Sequence, residues 1–308
     1  MNCSFETPIL FLIFNRPDTT IRVFEEIRKQ KPKYLFVAAD GPRTTKTGET
    51  ELCLQTRDII KLVDWDCYVK TLFREQNLGC GKAVSSAITW FFKNVEQGII
   101  LEDDCLPHPD FFNYCEELLN KYKENEQVML ISGDNFQNGN KRGEASYYFS
   151  AYPHIWGWAT WRRSWNNYDF TLENYSTKFY KTQLKQYFQL WTEREIWLEK
   201  FLVMKRKPID TWDYQLSFSI WKNDGLIILP NVNLVSNIGF GVNSTHTNNS
   251  NDICANIPVH SILPIQHPQN IIRDIIADKY FYEKYLHKTF IKLIHIALRR
   301  LFIYRTNE

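Results

Sequence analysis

Short, wholly apolar runs alternate with stretches whose apolar residues recur every three or four positions, and this alternation organises the first half of the chain. Ile9-Leu-Phe-Leu-Ile-Phe14 has no polar member, the pattern of a strand buried on both faces. Asn15-Arg-Pro-Asp18 is a turn that opens a helix, and Ile21, Phe24 and Ile27 share one helical face over residues 19–29. The unit then recurs. A strand over 34–38 ends at Asp40-Gly41-Pro42 and precedes a helix over 51–62; a strand over 68–73 precedes a helix over 81–92. A fourth strand, Gly98-Ile-Ile-Leu101, runs into Glu102-Asp103-Asp104 and a helix over 110–123.

Strands alternating with helices imply right-handed crossovers. The expected fold is therefore α/β, a mixed but mainly parallel sheet flanked by helices. Such sheets bind ligands at the carboxyl ends of their strands. The informative residues are those that follow each apolar run: Asn15-Arg16, Asp40-Gly41, the stretch 77–82 and Glu102-Asp103-Asp104.

The second half is less regular. Strands are expected over 128–132, 147–150, 226–229 and 232–235, and helices over 193–205 and 211–222. Trp156-Gly-Trp-Ala-Thr-Trp161 is an aromatic cluster, and residues 239–251, rich in Gly, Asn, Ser and Thr, read as a mobile loop. Helical patterning resumes after Asp274, so the expected organisation is one α/β domain over 1–265 and a helical tail over 266–308.

Net charge of +2 supplies no global field for nucleic acid, which is not an expected partner. Seven scattered cysteines without a CxxC pair read as reduced thiols, not as a disulfide framework or a zinc site. No secretory leader is evident, and no run reaches the roughly 18 apolar residues of a membrane span. A cytoplasmic protein is expected. The tail qualifies this. From 283 to 305 six cations face only Glu283, with Leu286, Phe290, Leu293, Ile294, Ala297, Leu301 and Tyr304 at helical spacing. Such a helix suits peripheral contact with an anionic membrane at its inner face, and equally packing on the core or on a second subunit.

Three carboxylates leaving one buried strand repel unless a cation or hydrogen-bond donors compensate them. Mg²⁺ or Mn²⁺, which take oxygen ligands and share their shell with phosphates, would serve; so would solvent around an acidic turn. Asp213 lies beside the apolar stripe Trp212, Leu216 and Ile220, an edge position that suits a general base. Asp210 as N-cap with Asp213 three residues on also resembles a capping box. Gly79-Cys-Gly-Lys82 departs from a nucleotide-binding phosphate loop, with Gln76 at the first glycine position and Ala83 after the lysine. It nevertheless opens a helix, where N–H groups and Lys82 can meet a phosphate. His246, in the 239–251 loop, is either solvated or part of a lid.

Taken in order, Asn15-Arg16, Ala39-Asp40-Gly41, Leu101-Glu-Asp-Asp104, Pro109-Asp-Phe-Phe-Asn-Tyr114, Trp156-Gly-Trp158, Trp212-Asp213 and the 241–247 loop resemble GT-A glycosyltransferases. The likeness is to the inverting N-acetylglucosaminyltransferase I type and to bacterial family 2-like enzymes, over residues 8 to 250. It implies a Rossmann-like fold, a UDP-sugar donor, a glycan or lipid-linked glycan acceptor and a Mn²⁺ or Mg²⁺ ion. It further implies that Arg16 and Asp40 contact the nucleotide, Asp103 the ribose, Asp104 the metal and Glu102 the transferred sugar. Asp213 would deprotonate the acceptor, Trp158 would help to wall the sugar site, and Ser244 and His246 would order over bound donor. The stretch 77–82 departs from the eukaryotic enzyme, which bears on the donor sugar and the acceptor. A sugar-phosphate nucleotidyltransferase would use a similar sheet and acidic box, but Asn15-Arg-Pro-Asp18 lacks the glycines of that class. A non-catalytic sugar-binding protein would have no use for four intact acids.

Overall fold

The computed structural model describes residues 5–176, 179, 182–206, 209–240 and 252–287. The first half carries β1 Ile9–Ile13, α1 Pro17–Gln30, β2 Tyr34–Ala39, α2 Glu49–Asp58, β3 Tyr68–Phe73, α3 Cys80–Phe92 and β4 Gln97–Glu102. Next come β5 Cys105–Pro107, α4 Asp110–Lys121, β6 Val128–Ser132, β7 Tyr147–Ser150, β8 Trp158–Trp161 and α5 Arg162–Trp165. The remainder is α6 Gln183–Tyr187, α7 Trp191–Arg206, α8 Asp213–Lys222, β9 Leu226–Pro230, β10 Val235–Asn237 and α9 Ile275–Phe281.

Eight strands form one sheet in the order β3-β2-β1-β4-β8-β6-β9-β7. The pairs β3–β2, β2–β1, β1–β4 and β6–β9 are parallel, and only β8 and β7 run against the rest. This is the mixed, mainly parallel α/β architecture that the alternating pattern predicts. The reason is visible in β1. Ile9, Phe11 and Ile13 enter one core layer with Val23, Phe24 and Ile27 of α1, while Leu10 and Leu12 enter the other with Ala87, Ile88 and Phe91 of α3. A strand covered on both faces needs apolar residues at every position. Each buried Ile, Leu or Phe adds about 1.5–3 kcal/mol.

Two features depart from the sequence expectation. Trp158-Ala-Thr-Trp161 is a central strand, paired antiparallel with both β4 and β6 (Trp158 opposite Ile100 and Ser132). The strand expected over 232–235 begins only at Val235, because Asn233 bonds Asn135 N (3.0 Å) and Val235 O (2.7 Å) and makes a turn there. The described part of the tail is bonded into the main body. Asp278 accepts from Ser150 Oγ at 2.5 Å, Ala151 N at 3.1 Å and Arg273 Nε at 2.5 Å. His267 meets the Tyr147 hydroxyl at 2.9 Å. A π-helical turn over Tyr282–Leu286 closes α9, and His287 leaves helical backbone at ψ 123°. Residues 288–308, most of the basic segment, lie outside the described residues. No helix among the described residues is long and apolar enough to cross a membrane.

Candidate active site

Leu12 of β1 stands opposite Ala38 of β2 and Glu102 of β4, so the residues that follow these three strands emerge side by side. This edge is also where the strand order turns about β1, the position at which open α/β sheets hold ligands. Arg16 reaches across it. Its Nη1 donates to Asp104 Oδ2 at 2.9 Å, and its Nη2 donates to Asp103 Oδ1. Asp103 Oδ2 accepts from Phe14 N at 3.1 Å, and its side chain is 4% exposed. Gly239 packs directly on this ion pair: a Cβ there would stand 2.1 Å from Asp104 Oδ2 and 2.7 Å from Arg16 Nη1.

The electrostatic balance is incomplete. Burial, then the charges of Asp104 and Asp103, pushes Glu102 well above the ordinary carboxylate range; Arg16 opposes this, and Asp213 adds to it. Burial likewise raises Asp103 against the pull of Arg16. Four acids thus share one field with a single guanidinium among these groups, and the excess is negative.

That excess is the test of fit for a divalent ion. Among the described residues no group of three or more His, Cys, Asp or Glu converges as a ready-made metal cage. Asp104 Oδ1, however, has among the described residues only a 3.5 Å contact from the Cys105 thiol. A hard cation that takes one or two carboxylates and completes its shell with phosphate oxygens fits such a site.

The adjoining cleft encloses a cavity of about 150 Å³ and opens between β1, β2 and the start of α3. Its apolar floor is Leu12, Ala38, Ala83, Val84 and Ala87, and its polar rim includes Arg16, Arg43, Arg74, Asn77 and Glu102. An apolar slot with a few convergent polar groups is what a nucleobase and its phosphates require.

No family model matches this chain. No curated protein sequence matches it either. Solved structures that resemble it do so distantly. S. aureus TarS 1–349 is 12% identical at a TM-score of 0.42, with 74% of this chain and 59% of that chain covered. A cytidylyltransferase from Leptospira borgpetersenii is 10% identical at 0.35, covering 70% of this chain and 94% of that one. A UDP-glucose pyrophosphorylase complexed with UDP-glucose is 13% identical at 0.27, covering 47% of this chain and 66% of that one. This chain therefore spans just over half the length of the TarS fragment it resembles. Likeness at this level says nothing of activity, which rests on the site.

The structure brings Arg16, Asp40, Glu102 and Asp103 to the wall of this one cleft. Asp40 is there, but its oxygens turn inward. They accept from Gly41 N (2.9 Å), Leu78 N (3.0 Å), Gly79 N (3.1 Å) and Asn77 Nδ2 (3.0 Å), so the carboxylate braces the turn before α3. Burial raises its proton affinity, and the N–H bonds counter this. Lys82 is exposed on α3 and does not line the cleft. Trp158 is 1% exposed, stacked on Trp212 at 5.7 Å inside the core, and so stands behind the site instead of at its surface. Ser244 and His246 lie outside the described residues.

Asp213 opens α8, and no side chain caps that helix from its own N-cap position. The capping-box alternative is therefore not what forms. The Thr211 hydroxyl donates to Asp213 Oδ1, and Asp210 bonds the N–H groups of Cys80 (2.9 Å) and Gly81 (2.7 Å) at the start of α3. That contact also fills the α3 N-terminus that was a candidate phosphate cradle. Sequence reasoning missed Arg43 and Arg74. Arg74 directly follows β3 and was open to the same strand-end rule; Arg43 follows Asp40-Gly-Pro in the β2 turn.

Proposed function

We propose that this chain is a glycosyltransferase that moves a sugar from a nucleotide-diphosphate donor, a UDP-sugar in the first instance, to an acceptor hydroxyl with inversion. The acceptor class is a glycan or lipid-linked glycan, in bacterial surface-polysaccharide or glycan synthesis. One observation carries the reading. Arg16, Asp103 and Glu102 line an apolar cleft, Arg16 also binds Asp104, and the Asp213 carboxylate lies within the field of Glu102.

The apolar floor takes the nucleobase, Asp40 holds the turn that shapes this slot, and Arg16 faces the phosphates. Asp103, held by Arg16 and by Phe14 N, is the residue assigned to the ribose. A Mn²⁺ or Mg²⁺ held by Asp104 would neutralise charge on the departing diphosphate. Glu102, at the end of β4 on the wall of the cleft, hydrogen-bonds a hydroxyl of the transferred sugar. Asp213 takes the proton of the acceptor hydroxyl as its oxygen attacks the anomeric carbon from the face opposite the diphosphate. The new C–O bond forms as the bond to the diphosphate breaks, so the configuration inverts. A lipid-linked acceptor would agree with a cytoplasmic enzyme held at the inner membrane face through residues 283–305.

A panel of nucleotide sugars with and without Mn²⁺, read by nucleoside diphosphate release and acceptor modification, tests this. Pyrophosphate release from a nucleoside triphosphate and a sugar 1-phosphate would instead identify a nucleotidyltransferase. Binding without turnover would identify a sugar-binding protein.

A further inference from the structure

Asp210 is 130 residues from Cys80, yet its two oxygens take the first N–H groups of α3, 2.9 Å from Cys80 N and 2.7 Å from Gly81 N. The positive end of a 13-residue helix is thus capped by a side chain from the segment that leads into α8. Two glycines permit the approach. A Cβ on Gly79 would lie 2.6 Å from Asp210 Oδ2, and one on Gly81 would lie 2.8 Å from Thr211 O. From that anchor the contacts run directly to Asp213. Thr211 donates its hydroxyl to Asp213 Oδ1, and Gln215 Nε2 donates to Thr211 O at 3.2 Å. Asp210 itself lines the cleft, so the same side chain touches the wall of the donor site and the segment that bears the base.

We infer that Asp210 is the positioning residue of this site: bonded across the first turn of α3, its carboxylate fixes the separation between Asp213 and the donor cleft. This rests on the reading of Asp213 as the base. Asp210 does not touch the reacting atoms. Its contribution is to orientation, where a displacement near 1 Å can cost about 100-fold in rate.

The test uses the full chain with the donor and acceptor selected by the panel above, and compares Asp210→Asn, Gly81→Ala and their combination. Asp210→Asn presents an NH₂ group to one of the two N–H donors. Gly81→Ala changes no charge and favours helix in α3, but pushes against Thr211. Both should lower kcat by about 10- to 100-fold, with donor KM and UDP affinity held within about threefold. The combination should lose no more than the worse single variant, because both break one contact.

Asp213→Asn separates the two ideas. If it keeps near-normal turnover, the base assignment fails and the positioning inference falls with it. If it abolishes transfer while Asp210→Asn and Gly81→Ala both keep kcat, the positioning inference alone is overturned. A raised donor KM with unchanged kcat in Asp210→Asn would also overturn it and make Asp210 a donor contact. Should Asp210→Asn fail to fold, Gly81→Ala alone decides.

Discussion

Arg16, at the end of β1, spans Asp103 and Asp104, at the end of β4, with the two terminal nitrogens of one guanidinium. Removing it leaves the Asp103 side chain, 4% exposed, with the Phe14 N–H as its one remaining hydrogen-bond donor among the described residues. Loss of one partner from a buried pair costs about 3–5 kcal/mol. Arg16→Ala should therefore lower the melting temperature by several degrees and abolish UDP binding. Arg16→Lys should recover only part of the stability, since a single ammonium cannot form the same two-pronged bridge. Thermal unfolding and calorimetric titration with UDP measure both. A melting temperature unchanged in Arg16→Ala would rule out this neutralising role.

Asp213→Asn keeps the shape of the side chain and its bond from Thr211, but removes the basic oxygen. Transfer should fall by about 100- to 10,000-fold, the range associated with a general base, while UDP affinity stays the same. Rapid-quench measurement of sugar transfer beside UDP titration distinguishes the two effects. Retained turnover would mean that another group takes the proton.

Glu102 titrates in a way that the ligand-free protein should reveal. Burial and the neighbouring charges of Asp104 and Asp103 raise it from 4.5 to about 8 in the folded chain. The folded state therefore holds this proton where the unfolded state has released it. Its contribution to stability is complete below 4.5 and is lost as pH rises through about 8. Glu102→Gln should flatten the fall in melting temperature across that window and raise stability at its upper end. A parallel pH profile in wild type and variant would contradict the raised value.

Asp278 ties the C-terminal segment to the sheet through Ser150, Ala151 and Arg273, with the side chains of Asp278 and Arg273 4% and 18% exposed. Asp278→Ala should cost about 3–5 kcal/mol, because Arg273 loses its partner and Ala151 N its acceptor. Denaturant unfolding and limited proteolysis of residues 266–287 would show it. Unchanged stability would mean that this segment is not integral to the fold.

Much of this protein was legible in its linear pattern. Ile9–Ile13 has no polar residue to turn to solvent, so it reads as a strand covered on both faces, which it is. Parallel geometry then required that the residues after β1, β2 and β4 share one edge, so Arg16, Asp40 and Glu102-Asp103-Asp104 were recoverable as neighbours without coordinates. Tertiary structure decided what those neighbours do. Only packing turned Asp40 towards Leu78 and Gly79, carried Asp210 to the first turn of α3, and made the Trp158–Trp161 segment a central strand instead of a sugar-facing wall. The physical reason is range. Side-chain periodicity reports which face of an element is covered, a local property with periods of two or about 3.6 residues. Which donor a buried carboxylate meets depends on elements far apart in the chain, whose approach is set by the volumes packed between them.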